Sequence, residues 1–150
     1  MIDTSDRAAA QAIRDAQRRF PQISADGIVI GIRGSPFQEI VPEQVATAIE
    51  FLSMLAPTKT ARMSSYQLKH VGEDWGKHHD GCWYLSNGAL IVAALALDLA
   101  VEPCGPLWAA SPNCLIGVSQ KSVARVVMGN DFARRANRLT MSGIRAIVSV

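Results

Sequence analysis

Between Leu85 and Leu97 the only polar side chains are Ser86 and Asn87, and no charge appears until Asp98. This pattern predicts a helix over 86–98. Ser86 or Asn87 serves as its N-cap, because a side-chain oxygen there accepts a hydrogen bond from an early, otherwise unpaired N–H. A helix that is apolar all the way round belongs in a protein core, and this run is well short of the ~20 residues that a bilayer crossing needs. Ala89, Ala93, Ala96 and Ala100 recur at i, i+4, i+7 and i+11, a small-residue face that another helix backbone can approach closely. Leu90, Ile91, Leu95, Leu97 and Leu99 cover the other sides.

The remaining periodicities arrange themselves around that helix. Ala9, Ile13, Ala16 and Phe20 form a helical stripe, capped by Thr4 or Ser5 and stopped by Pro21. Ile28–Ile32 is β-branched and short and predicts a strand, ended by Gly34-Ser35-Pro36. Gly31–Ser35 lacks the spacing of a phosphate loop and opens no helix, so a strand-ending turn is the reading. Pro42 sits at a first helical position, and Val45, Ala48, Ile49 and Leu52 give an amphipathic helix over 42–56 that Pro57 ends. Ser64 with Gln67 forms a capping box for a helix running to His78, with Leu68, Val71, Gly72 and Trp75 on its buried side. Glu73 and Lys77 stand in the favourable i, i+4 order, and Gly72 implies a close crossing with the alanine face of the central helix. Residues 100–104 and 113–118 read as short strands joined by a shaped loop. A helix over 120–128 is expected to stop at Gly129-Asn130, followed by a polar helical segment over 131–139. Alternation from Ile144 to Val150 predicts a closing edge strand. The fold class is α+β, one mostly helical domain over residues 1–150 around a buried central helix, with a small sheet.

Composition adds limits rather than a function. With 150 residues, 49% hydrophobic and 19% charged, the chain can build a core without disulfides and is not disordered. The net charge of +2 implies no partner, but its distribution is uneven. Residues 1–58 carry five basic and seven acidic side chains, and residues 59–104 four and five. Residues 105–150 carry Lys121, Arg125, Arg134, Arg135, Arg138 and Arg145 against Asp131 alone. Three cysteines, Cys82, Cys104 and Cys114, give no disulfide framework. The acidic start, Met1 to Asp6, has no apolar run of the kind a secretory leader needs, so the cytoplasm is the expected compartment.

Three blocks recur in one order: Ser64-Ser65-Tyr66-x-Leu68-Lys69-His70-x-x-Glu73, then Tyr84-x-Ser86-Asn87-Gly88-Ala89-Leu90-Ile91-x-Ala93-Ala94-Leu95, then Pro112-Asn113. This third of the chain resembles a pattern in small uncharacterised bacterial proteins carried on mobile elements such as plasmids and integron gene cassettes. The resemblance implies a bacterial, mobile-element setting and transfers no activity, cofactor or catalytic residue.

Chemistry-bearing residues concentrate between Ser64 and Cys82. Ser65, Tyr66, His70, His79 and Asn87 are the surface-site candidates. His78 or His79 with Cys82, joined by His70, has the ligand chemistry of zinc, but no Cys-x-x-Cys and no second histidine pair accompany it, and an ordinary polar loop is the preferred reading. Cys82 with His70 as base is a thiol-enzyme arrangement lacking a third, orienting group. No catalytic residue, metal or cofactor is therefore assigned. Phosphate contacts are the chemistry that the basic residues suit best: Lys59, Arg62, Lys69, Lys77, and Arg134, Arg135 and Arg138, the last three at i, i+1 and i+4. The central helix carries no polar side chain that reads a base edge, so it at most buttresses such an interface. The expected function is a non-enzymatic binding protein with nucleic acid as leading partner. The alternatives are a small-molecule or protein-binding and assembly module, such as a dimer built on the alanine face and the edge strand, and, last in order, a thiol or zinc-dependent enzyme. Trp75, Trp83, Tyr84 and Trp108 would line a pocket in the small-molecule case, although core packing is the commoner fate of such side chains.

Overall fold

The computed structural model describes residues 4–28, 38–105 and 111–148. Helix α1 spans Thr4–Arg19 and α2 Pro42–Ser53. Strand β1, Met63–Ser64, leads into α3, Ser65–Lys77, and α4 follows over Asn87–Ala96. The short strands β2, Val101–Pro103, and β3, Cys114–Ile116, precede the long α5, Gln120–Val148. This is the α+β, mostly helical architecture expected. The strand expected over 28–32 and the Gly31–Ser35 turn lie outside the described residues, apart from the buried Ile28.

Helix α4 is the centre. Ser86 caps it, its Oγ accepting from Ala89 N at 3.1 Å. Every residue from Asn87 to Ala94 is buried. Helices α1, α2 and α3 and the sheet pack against it, so Leu90, Ile91 and Val92 lose all contact with water, worth about 1.5–3 kcal/mol each. The first turn of α4 is also pinned: Gly88 N donates to Ala25 O at 3.0 Å. A Cβ on Gly88 would stand 1.8 Å from Ser24 O, so only glycine admits the 24–27 turn.

The sheet has the order β1-β3-β2 and is antiparallel throughout. Ile116 pairs with Met63 on one side and Val101 on the other. Pro103, which has no N–H to give, sits on the edge strand opposite Cys114. The connector expected before α3 thus supplies a strand, Met63–Ser64.

Several element boundaries differ from expectation, each for a local reason. Helix α2 ends at Ser53 rather than 56 because the chain beyond is taken by the start of α5: Ala56 N donates to Ser122 Oγ at 3.1 Å and Ser119 N to Ala56 O at 2.8 Å. Gly72 faces Phe51 and Leu85, whose side-chain carbons stand 2.8 and 2.9 Å from where its Cβ would be, and not the alanine face of α4. The Ser64 cap bonds Tyr66 N at 3.2 Å, one residue before the position a capping box uses. Gly129-Asn130 does not end a helix. Asn130 is buried and its amide donates to Val71 O at 3.3 Å, so α5 gains a tertiary contact where the sequence suggests a stop. Up to Val148 the segment expected as an edge strand is helix instead, because Ile144, Ile147 and Val148 also fit the i, i+3, i+4 helical spacing, and the remainder of that expected strand lies outside the described residues. Of the alanine face on which a dimer was expected, Ala96 is exposed and Ala100 half-buried. Ala89 and Ala93 are buried within the chain, and the closing segment up to Val148 offers no strand edge. Among the described residues no helix is long and apolar enough to cross a membrane.

Candidate nucleic-acid interface

Helix α3 carries one cluster that its packing holds in place. Leu68 turns into the core, and Lys69 beside it is only 8% exposed. Its ammonium lies 3.1 Å from Glu73 Oε1 and donates to Leu85 O at 3.2 Å, just ahead of α4. The same Nζ sits 5.8 Å from the Tyr66 ring centroid and 4.8 Å from that of Tyr84, within the range of a cation–π contact. Lys69 is thus a tether between α3 and α4 and not the phosphate contact expected of it. His70 stands edge-on to Tyr66, centroids 4.7 Å apart, with Nδ1 3.3 Å from Glu73 Oε1.

Two other surface-site candidates are internal. Ser65 is fully buried, and its Oγ accepts from Cys114 N at 3.1 Å, which joins α3 to β3. Asn87 is buried where three segments meet: Nδ2 donates to Asp26 O at 2.9 Å and to Asn113 Oδ1 at 3.0 Å. Its own Oδ1 has no hydrogen-bond partner among the described residues. A short polar side chain beside a helix start reads as surface from sequence; here the core of the fold lies on both sides of it.

Tyr66, His70 and His79 are exposed, as candidates for a surface site should be. His79 stacks on Trp75, centroids 4.4 Å apart and planes 11° from parallel, and its Nδ1 donates to Trp75 O at 2.8 Å. Among the described residues no group of three His, Cys, Asp or Glu side chains is placed to hold a metal, and His78, His79 and Cys82 form no such group. Cys82 is half-buried, its N–H donating to Thr47 Oγ1 at 3.1 Å. The other two cysteines lie at neighbouring positions where the β2–β3 ladder ends, Cys114 opposite Pro103 and Cys104 one residue further on, its N–H donating to Asn113 O at 3.1 Å. Burial pushes the Cys114 thiol up to about 12, with Cys104 adding to the effect and Arg19 opposing it, and burial also raises Cys104.

The aromatic residues divide. Trp75 is a core residue, tilted against Phe51 at 6.2 Å, whereas Trp83 is 72% and Tyr84 58% exposed. Core packing is therefore the wrong assignment for Trp83 and Tyr84, because the 78–84 loop swings them outside before Leu85 re-enters the core. Trp108 lies outside the described residues. Trp75 and His79 instead border a cleft of about 460 Å³ that Met54, Arg125, Val126 and Asn130 close from the α2 and α5 sides.

The basic candidates separate in the same way. Lys77 pairs with Asp74 at 3.8 Å, rather than with Glu73, which Lys69 occupies. Arg134 donates to Asp74 Oδ2 at 3.3 Å and to Asp131, so two carboxylates already engage it. Lys59, Arg62, Arg135 and Arg138 are exposed and make no ion pair among the described residues. Lys121 and Arg125, which the spacing argument omits, are equally exposed and unpaired there. From Asp131 to Thr140 every residue of α5 is exposed except the half-buried Ala133. This half of the helix is largely exposed to water and carries Phe132 and Leu139, each about three-quarters exposed. The Arg134–Asp74 pair brings it alongside α3, where Tyr66, His70, Asp74 and Lys77 follow one another along one helix face.

Comparison with protein-family models, with curated proteins and with solved structures finds no match to this chain.

Proposed function

We propose that the protein is a non-enzymatic nucleic-acid-binding protein that contacts phosphates through its exposed basic residues. The observation that carries this reading is the excess of exposed basic residues along α5. Between Gln120 and Thr140 the helix bears Lys121, Arg125, Arg134, Arg135 and Arg138 against Asp131, and Asp131 is already paired with Arg134. A helix of 29 residues extends about 43 Å. That length presents cations at several positions along a polyanion, and displacement of condensed counterions then supplies the affinity. Lys59 and Arg62 add two further exposed cations before β1, with no ion pair among the described residues.

The test is fluorescence-anisotropy binding to labelled DNA across a salt series. The logarithm of the affinity is expected to fall linearly with the logarithm of salt, and Arg135→Ala with Arg138→Ala is expected to reduce the slope by roughly 1.4 to 1.8. No binding at low salt removes the reading. A small-molecule module is the second reading, favoured by the Trp75–His79 cleft. It is the reading to pursue if DNA does not bind, by saturable quenching of tryptophan fluorescence.

A further inference from the structure

Tyr66 in the first turn of α3 and Tyr84 in the loop before α4 stand in water around the Lys69 ammonium, at 52% and 58% exposure, and Trp83, next to Tyr84 in the chain, is 72% exposed. Apolar groups grouped on a surface mark a place of contact. These are not loose side chains. Tyr66 is anchored by its fully buried neighbour Ser65, and its ring is set edge-on by His70. Tyr84 precedes the fully buried Leu85, whose carbonyl the Lys69 ammonium holds, and that ammonium faces both tyrosine rings. Trp83 makes no ring contact or hydrogen bond among the described residues. Two oriented rings therefore share one ammonium, and a third exposed ring stands next to Tyr84 in the chain.

The charges around the rings indicate what they meet. Glu73, the acid of the cluster, is engaged by Lys69 and His70. Arg62, four residues before Tyr66, is exposed and pairs with no acid among the described residues. Exposed aromatic faces on a chain that also presents exposed cations suit unpaired bases joined by phosphates: the rings stack on the bases and the cations follow the backbone. In a duplex the base faces are already covered by their neighbours, so such rings gain little there. We infer that Tyr66, Trp83 and Tyr84 form a stacking platform and that the nucleic acid bound is single-stranded. This rests on the phosphate-contacting reading above and adds the form of the strand and the residues that select it.

The experiment compares a labelled 20-mer of oligo-dT with a 20-base-pair duplex, by anisotropy, using the full chain. The single strand is expected to bind more tightly. Trp83→Ala and Tyr84→Ala are each expected to weaken oligo-dT binding about tenfold and leave the salt slope unchanged. Arg135→Ala with Arg138→Ala changes the slope instead. Both aromatic positions are exposed, so the variants are expected to melt with the parent, which circular dichroism checks. As an independent readout, oligo-dT quenches tryptophan fluorescence, and Trp83→Phe removes that quenching while retaining a ring that stacks. Equal affinity for the two forms, or aromatic variants that bind like the parent, would overturn the platform and leave phosphate contact standing. Absence of binding to either form overturns both.

Discussion

Arg134 of α5 reaches Asp74 of α3 at 3.3 Å while also holding Asp131, one turn back on its own helix. The hydrogen bond that Arg134 donates to Asp131 and the charge of Asp74 hold the guanidinium above its already high ordinary value, so it is a fixed cation between two acids. Just before it, Asn130 is buried; after it, residues 135–140 are exposed. The pair thus marks where the helix becomes exposed. Because all three side chains face water, solvent screens the interaction. Arg134→Ala is expected to leave the global Tm unchanged and to speed amide exchange over residues 131–140, read by hydrogen–deuterium exchange. A fall of several degrees in Tm would mean that the pair holds the fold and does not merely set this stretch of α5.

Lys69 and Glu73 behave differently, because their side chains are only 10% and 15% exposed. Removing one partner of a largely buried pair leaves the other charge without compensation, which costs about 3 kcal/mol. Lys69→Met, which retains most of the stem, is expected to destabilise by that amount in urea unfolding. Adding Glu73→Gln is expected to recover part of the loss. The salt slope of DNA binding should not change with Lys69→Met, since the ammonium is directed at Glu73 and Leu85 rather than at solvent.

That lysine illustrates what a sequence conveys and what it withholds. The central helix, its Ser86 cap, the amphipathic α1 and α2 and the two short strands after α4 were legible, because each is written in local periodicity or capping chemistry. Exposure of individual polar residues was not. Lys69, Ser65 and Asn87 resemble surface residues, yet each is buried by a bond to something distant in the chain: Leu85, Cys114 and Asp26. The opposite error affects Trp83 and Tyr84, whose apolar character suggests burial while the loop path carries them outside. Gly129-Asn130 resembles a stop signal until Asn130 finds Val71 O across the α3–α5 contact. Where a residue's position depends on a partner more than a turn away, spacing does not reveal it.

Two glycines provide opposite tests of the packing. A Cβ on Gly88 would stand 1.8 Å from Ser24 O, a backbone atom that cannot move aside, so Gly88→Ala is expected to prevent folding or to expel the 24–27 turn. A Cβ on Gly129 meets nothing within 4 Å among the described residues. Gly129 lies inside α5, where alanine is favoured over glycine by about 1 kcal/mol. Gly129→Ala is therefore expected to stabilise by about that amount, raising the urea midpoint without changing the dependence on denaturant. A neutral or harmful Gly129→Ala would indicate that the helix bends there in solution.

Cys114 makes the fold sensitive to alkali. Its thiol has no access to water on β3, and burial raises its pKa to about 12, with Cys104 contributing. In the unfolded chain the same thiol ionises in the ordinary range near 9. As pH rises from about 9 towards 12, the unfolded chain releases a proton that the folded chain retains. The unfolded state is then progressively favoured, and stability that is complete below the lower value is lost across this window. Urea unfolding followed from pH 8 upward is expected to show a steeper decline for the parent than for Cys114→Ala, which has no thiol to ionise. Iodoacetamide at pH 8 is expected to modify Cys114 only after denaturation, because the reactive species is the thiolate. Matching alkaline profiles for the parent and Cys114→Ala would place the alkaline sensitivity elsewhere.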